Sequence, residues 1–184
     1  MLEQTRYNTV LLPPDNFADL YIDFSQDNFS GIQDGYCLKQ GRALPHITLC
    51  QARINTQDQL DDLMGSLENV DKAFSAAIEF GSYYASKKPD KAIVYTGLAV
   101  RVPNDPLQAL HNLVYKKHRN LQLEVLNPSG EEYWPHLTFA RFKDSAVIPE
   151  LSFPERFWLT IPDWRVAFGV SDEAGQFLSE IELC

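Results

Sequence analysis

Two five-residue segments ninety positions apart are nearly the same word: Pro45-His46-Ile47-Thr48-Leu49 and Pro135-His136-Leu137-Thr138-Phe139. Both read Pro-His-aliphatic-Thr-apolar, and both sit among strand-type residues. Successive side chains of a strand point to opposite faces, so His46 and Thr48 share one face and His136 and Thr138 share another. Ile47 with Leu49, and Leu137 with Phe139, fall on the reverse faces, which are apolar and require helices packed against them. The His/Thr faces are left to line a groove. Continued alternation gives that groove a floor of small residues, Cys50 and Ala52 in one strand and Ala140 in the other. A lone His two positions before a Thr is more often an edge residue or a satisfied core imidazole. Two such pairs use two of the four histidines, and their agreement points to a duplicated half-structure with a shared task.

The rest of the chain supplies strands and helices in mixed order. Residues 7–12 are β-prone and stop at Pro13-Pro14, where missing amide hydrogens forbid further ladder pairing. From Asp15, Phe17, Leu20, Tyr21 and Phe24 recur at helical intervals. Thr56-Gln57-Asp58-Gln59 has capping-box spacing ahead of Leu60, Leu63, Met64, Leu67 and Val70, which predicts a second helix. A third starts with Asp105 as N-cap and Pro106 at N1, turns Leu107, Leu110 and Val114 inward, and ends near Asn120. Phe74, Ala76, Ile78 and Phe80 alternate as a strand would. Residues 91–100 read as a strand buried on both faces, and Trp164 to Val170 pairs with Phe177 to Leu183 in a hairpin around the turn SDEAG. Residues 122–133 read as one long loop. No regular βαβα run appears, so the class is α+β rather than doubly wound.

At 184 residues, with 45% hydrophobic and 22% charged side chains, the chain suits one domain, residues 1–184, with a core of its own. Sixteen Lys and Arg against 25 Asp and Glu give a net charge of −9. That balance argues against coating long duplex nucleic acid, which needs clustered cations, but leaves room for a small anion held by a few donors. Cys37, Cys50 and Cys184 form no CxxC pair and are odd in number, so they read as reduced thiols in a cytosol-like compartment. No apolar run approaches the roughly 18 residues of a membrane span, and no membrane partner is expected.

Two His/Thr pairs suit phosphoryl transfer without a metal. An imidazole with an ordinary pKa near ~6.5 is partly protonated around neutrality, so one copy can accept a proton from an attacking hydroxyl while the other donates to the leaving oxygen. Threonine hydroxyls on the same faces can hold the non-bridging oxygens. HExxH, a P-loop and a dinucleotide fingerprint are all absent from the sequence, and one His per motif cannot fill three zinc positions.

At these residues the sequence resembles the 2H phosphoesterase superfamily, named for two His-x-Thr/Ser-apolar motifs, and most closely its 2′-5′ RNA ligases and RNA 2′,3′-cyclic phosphodiesterases. The resemblance spans most of the chain, from the opening strand through HITL and the helices to HLTF. It implies two pseudo-symmetric α+β lobes whose antiparallel sheets face a central groove, with helices outside. It also implies metal-independent, cofactor-free cleavage of 2′,3′-cyclic phosphates to 2′-phosphates, or handling of 2′,5′ linkages. On that likeness His46 and His136 share the acid/base roles, with the sequence not choosing which is the base, and Thr48 and Thr138 hold phosphate oxygens. An arginine follows the second motif in many relatives. Arg141 matches it in sequence, but strict alternation places it opposite His136, so only a bulge or a strand end would bring it to the phosphate. After the first motif, Cys50-Gln51 departs from the relatives' apolar-glycine continuation.

Tyr133 and Trp134 precede the second motif and could stack on a nucleobase or pack at the rim. Arg42 could meet a second phosphate or lie plain on the surface. Tyr83, Tyr84, Lys87 and Lys88 lie in a loop-like segment that could cover the groove, although a solvated turn is the plainer reading, and His111 and His118 read as exposed helix residues among Lys116, Lys117 and Arg119. The expected substrate is a nucleotide or RNA-terminal 2′,3′-cyclic phosphate, with 2′-5′ ligation or 2′,5′-phosphodiester cleavage as the second reading. A third reading is a nucleotide- or RNA-end-binding protein without turnover, against which both intact motifs speak. A cytoplasmic monomer is expected.

Overall fold

The opening strand β1 (Thr5–Leu12) breaks at the two prolines and passes into helix α1 (Asp15–Phe29). The computed structural model describes residues 5–32, 35–88 and 92–183, so Cys184 and Lys91 lie outside it. After α1 come β2 (Tyr36–Cys37), β3 (Ile47–Ile54), α2 (Gln57–Leu67), β4 (Ala73–Phe74), β5 (Phe80–Lys88) and β6 (Ile93–Val100). Then follow α3 (Asp105–Asn120), β7 (Glu124–Val125), β8 (His136–Lys143), β9 (Trp164–Ser171) and β10 (Phe177–Glu180).

At the α2 start Thr56 is the cap, its Oγ1 accepting from Gln59 N at 3.2 Å, while Gln59 Oε1 accepts from Asn55 N at 2.9 Å, one residue before the amide that a capping box would engage. At α3 the cap is Asn104, whose Oδ1 accepts from Leu107 N at 3.1 Å, so Asp105 stands one place inside the helix. Residues 80–88 form a strand, not a turn, paired with β6 and interrupted by a register shift at Gly81. The alternating stretch before it shortens to β4 and an isolated bridge between Ile78 and Ile161. The expected 122–133 loop carries β7 and a short 3-10 turn at Gly130–Glu132.

The strands join in the order β10-β9-β1-β3-β8-β6-β5, all paired antiparallel. The two lobes are therefore halves of one sheet, joined where Ile47 of β3 pairs with Leu137 of β8. Helix α1 packs behind β8 and β2, while α3 and α2 pack behind β3. The core lies between helices and sheet, with Ile47, Leu49, Leu137 and Phe139 all fully buried in it.

Each motif strand carries a β-bulge at the same place. Against β1, Thr48 faces Val10 and Cys50 faces Thr9, leaving Leu49 as the extra residue. Against β6, Thr138 faces Gly97 and Ala140 faces Thr96, leaving Phe139 as the extra residue. An extra residue reverses the alternation downstream. Cys50, Ala52 and Ala140 consequently turn into the helix-side core, where all are 0% exposed. The expected floor of small residues is replaced by Gln51 and Arg141.

A bulge takes a carbonyl out of the ladder, and a buried carbonyl needs another donor. Ser25 Oγ of α1 donates to Phe139 O at 2.7 Å, and Leu38 N donates to the same oxygen at 3.1 Å. His111 Nδ1 of α3 donates to Leu49 O at 2.7 Å. His111 and His118 are thus not exposed: both are 0% accessible, and His118 Nδ1 bonds Val114 O at 2.9 Å. Burial lowers both imidazoles, His118 to about 4.

Candidate functional site

The Ile47–Leu137 pair decides what stands beside what. Paired residues share a face, and both of these point into the core. The flanking residues His46, Thr48, His136 and Thr138 therefore project from the opposite face, across the junction of the two lobes. The proximity is felt electrostatically, since charge on His136 lowers the affinity of His46 for a proton.

The two imidazoles are held alike. His46 Nδ1 donates to Leu44 O and His136 Nδ1 donates to Trp134 O, both at 2.8 Å and both two residues back. With its proton at Nδ1, each neutral ring keeps the lone pair on Nε2, the tautomer a proton acceptor needs. The surroundings differ. His46 is 8% exposed and packs on Phe177, their ring centres 5.8 Å apart. Burial brings its pKa down to about 4, against the opposing pull of the Leu44 and Gly175 backbone and of Asp172. His136 is half-buried, with Trp134 stacked on it at 4.7 Å and 28°.

Tyr84 completes the second pair. Position 84 of β5 aligns with Gly97 of β6 and so with Thr138 of β8, and Tyr84 Oη lies 2.9 Å from Thr138 Oγ1. The tyrosine ring also meets His136 and Trp134 edge-on, at 5.4 and 4.8 Å. Burial raises its pKa, so it stays a neutral phenol. The sequence reading places Tyr84 in a loop-like segment beside the groove, whereas the residue belongs to a strand whose pattern is blurred by Gly81 and two lysines.

Arg141 reaches the motif face because of the bulge at Phe139. Its register partner is Tyr95, two positions from Gly97, and its guanidinium lies over the Tyr36 ring at 5.6 Å. Its terminal nitrogen stands 3.8 Å from Asp172 Oδ2. Asp172 belongs to the turn between β9 and β10, read from sequence only as a turn. There its Oδ1 accepts from Ala174 N and Gln176 N at 2.8 and 2.9 Å, and Gly175 O accepts from Asn8 Nδ2 at 3.0 Å.

The other expected residues divide. Trp134 is 46% exposed and keeps an open surface. Tyr133 is an internal brace: it stacks on His111 at 3.7 Å and 3°, and its hydroxyl donates to Thr48 O at 2.9 Å. Arg42 is exposed on the turn closed by the Lys39–Ala43 bridge, ahead of the first motif. Among the described residues no three His, Cys, Asp or Glu side chains are grouped as metal ligands would be, and no helix is long and apolar enough to cross a membrane.

Similar folds are known. E. coli LigT complexed with 3′-AMP superposes with a TM-score of 0.63 at 15% identity, covering 98% of this chain and 97% of that one. A structure described as a phosphoesterase gives 0.63 at 16% identity over 98% and 97%. The MHV ns2 PDE domain gives 0.55 at 15% identity over 90% and 99%. No curated protein matches the sequence. The family model of the 2′-5′ RNA ligase superfamily matches residues 32–167, which take in both motifs and the strands that carry them, and the chain belongs to that superfamily.

Proposed function

We propose that the protein is a metal-independent phosphodiesterase that opens 2′,3′-cyclic phosphates of nucleotides or RNA ends. The observation that carries this reading is the Ile47–Leu137 pairing, which sets two Nδ1-anchored imidazoles and two threonines on one face. His46, neutral at pH 7, takes a proton from water through Nε2 as the water oxygen bonds to phosphorus. His136 protonates the departing O3′, leaving a 2′-phosphate and a free 3′-hydroxyl. Thr48 and Thr138 donate to the non-bridging oxygens, and Arg141 balances their charge. Tyr84 donates to Thr138 Oγ1 and frees the threonine proton for phosphate. Trp134 offers its open face to the base. A nucleotide ligand also agrees with the 3′-AMP complex of LigT. The family match favours one second reading, 2′-5′ ligation, in which a 5′-hydroxyl replaces water in related chemistry.

The test is turnover of nucleoside 2′,3′-cyclic phosphates and of a 2′,5′-linked dinucleotide, with and without EDTA. Hydrolysis of the cyclic phosphate should persist in EDTA, with a loss on the order of 10² or more for His46→Ala and for His136→Ala. The pH profile should be bell-shaped, its acid limb below pH 6.5 because burial lowers His46. Turnover that strictly requires added metal, or an unchanged rate in either variant, overturns the mechanism.

A further inference from the structure

Asp172 is an anion placed where anions are to bind. It comes from the β9–β10 turn of one lobe and approaches Arg141 of the other at 3.8 Å, both side chains being partly buried. Its charge is also felt at His46. The two carboxylate oxygens have separate tasks. Oδ1 accepts the Ala174 and Gln176 amides and holds the turn, whereas Oδ2 faces the guanidinium. Asp172 is not needed as a carboxylate for the turn alone, because a neutral oxygen at Oδ1 would accept the same two amides.

We propose that Asp172 is a specificity-determining residue that favours singly charged phosphodiesters over doubly charged phosphomonoesters. This rests on the phosphodiesterase reading above. A cyclic diester carries one negative charge, which Arg141 can meet while still sharing Asp172. A terminal monoester carries close to two at neutral pH, and its second charge is repelled by the carboxylate. The same repulsion speeds release of the product, since ring opening converts a diester into a monoester beside Asp172. The Arg141–Asp172 separation suits this role: at 3.8 Å the pair is too loose to be a hydrogen bond and leaves the guanidinium able to turn toward phosphate.

The experiment compares wild type with Asp172→Asn, which retains an oxygen for the turn and removes the charge. The readout is the ratio of binding strengths for a nucleoside 2′-monophosphate and the matching 2′,3′-cyclic phosphate, taken from the product inhibition constant and KM. The expected result is a shift of about tenfold toward the monoester, with stronger product inhibition. Asp172→Ser, whose hydroxyl can also accept the turn amides, should shift the ratio the same way and serves if the asparagine variant does not fold. An unchanged ratio in a folded variant overturns the proposal. If the wild type shows no turnover, calorimetry with the same two ligands gives the ratio directly. Loss of the phosphodiesterase reading and loss of the Asp172 role are thus separate results.

Discussion

At the scale of single residues the two motifs are chemically equal but not equally housed. His46 lies under Phe177 and the β9–β10 turn, while His136 stands between Trp134 and Tyr84 at the mouth. Burial lowers the proton affinity of His46, which suits that ring to accept a proton, while His136 stands nearer solvent. Tyr84 adds a test of this housing. Its phenol is held neutral by burial and touches Thr138 at 2.9 Å. Tyr84→Phe keeps the ring contacts with His136 and Trp134 but removes the hydroxyl that orients Thr138. We expect kcat/KM for a 2′,3′-cyclic phosphate to fall about three- to tenfold, the value of one ordinary hydrogen bond. An unchanged kcat/KM would place Tyr84 outside the phosphate-holding apparatus.

At the scale of elements, the twin bulges convert a repeated sequence into a usable surface. They let Leu49 and Phe139 stay in the core while turning Gln51 and Arg141 outward, and they need donors from the helices behind. The close fit at the second bulge forbids a side chain at Gly97: a Cβ there would lie 1.9 Å from Leu137 O and 2.9 Å from Thr138 Cα, both backbone atoms. Gly97→Ala must therefore displace β8 and the threonine with it. Destabilisation of about 2–4 kcal/mol in chemical denaturation, together with weaker phosphate binding, is the expected outcome. A neutral substitution would mean that the strands do not approach so closely. The sequence made the helices, the main strands and the His/Thr faces legible, because periodicity and caps are local signals. It carries a faint mark of the bulges, because alternation slips at Leu49-Cys50 and at Phe139-Ala140, where two apolar residues stand in succession before Gln51 and Arg141 resume it. Cys50, Ala52 and Ala140 are small enough to suit either face, so the slip reads as a small-residue floor until the register with β1 and β6 is known. Arg141 was for that reason read on the wrong face, and Cys50, Ala52 and Ala140 with it. The contact of Tyr84 with Thr138 is hidden for a related cause, since the two residues are 54 positions apart.

At the scale of the molecule, the histidines couple the fold to pH. Leu107, His111, Val114 and His118 form one buried stripe of α3, at intervals of four, three and four. The surrounding Lys116, Lys117 and Arg119 concealed that stripe in the sequence, although the spacing itself was visible. With His46 this makes three imidazoles whose burial disfavours the charged ring. The pKa values of His46 and His118 fall to about 4, from an ordinary 6.5 in the unfolded chain. Between those limits the unfolded chain takes up protons that the folded one refuses, so stability is complete above pH 6.5 and declines as the pH drops toward 4. Each of these two groups should cost roughly 2 kcal/mol by pH 5, at about 1.4 kcal/mol per pH unit, with His111 acting in the same direction. Chemical denaturation at pH 7.5 and pH 5 measures the sum, and His118→Gln, a neutral residue in the same place, should flatten the dependence by one group. The histidine that α3 buries for packing then sets an acid limit on the fold, separately from the acid limb that His46 sets on turnover. Equal stability at the two pH values would show that these rings are not held neutral by the fold.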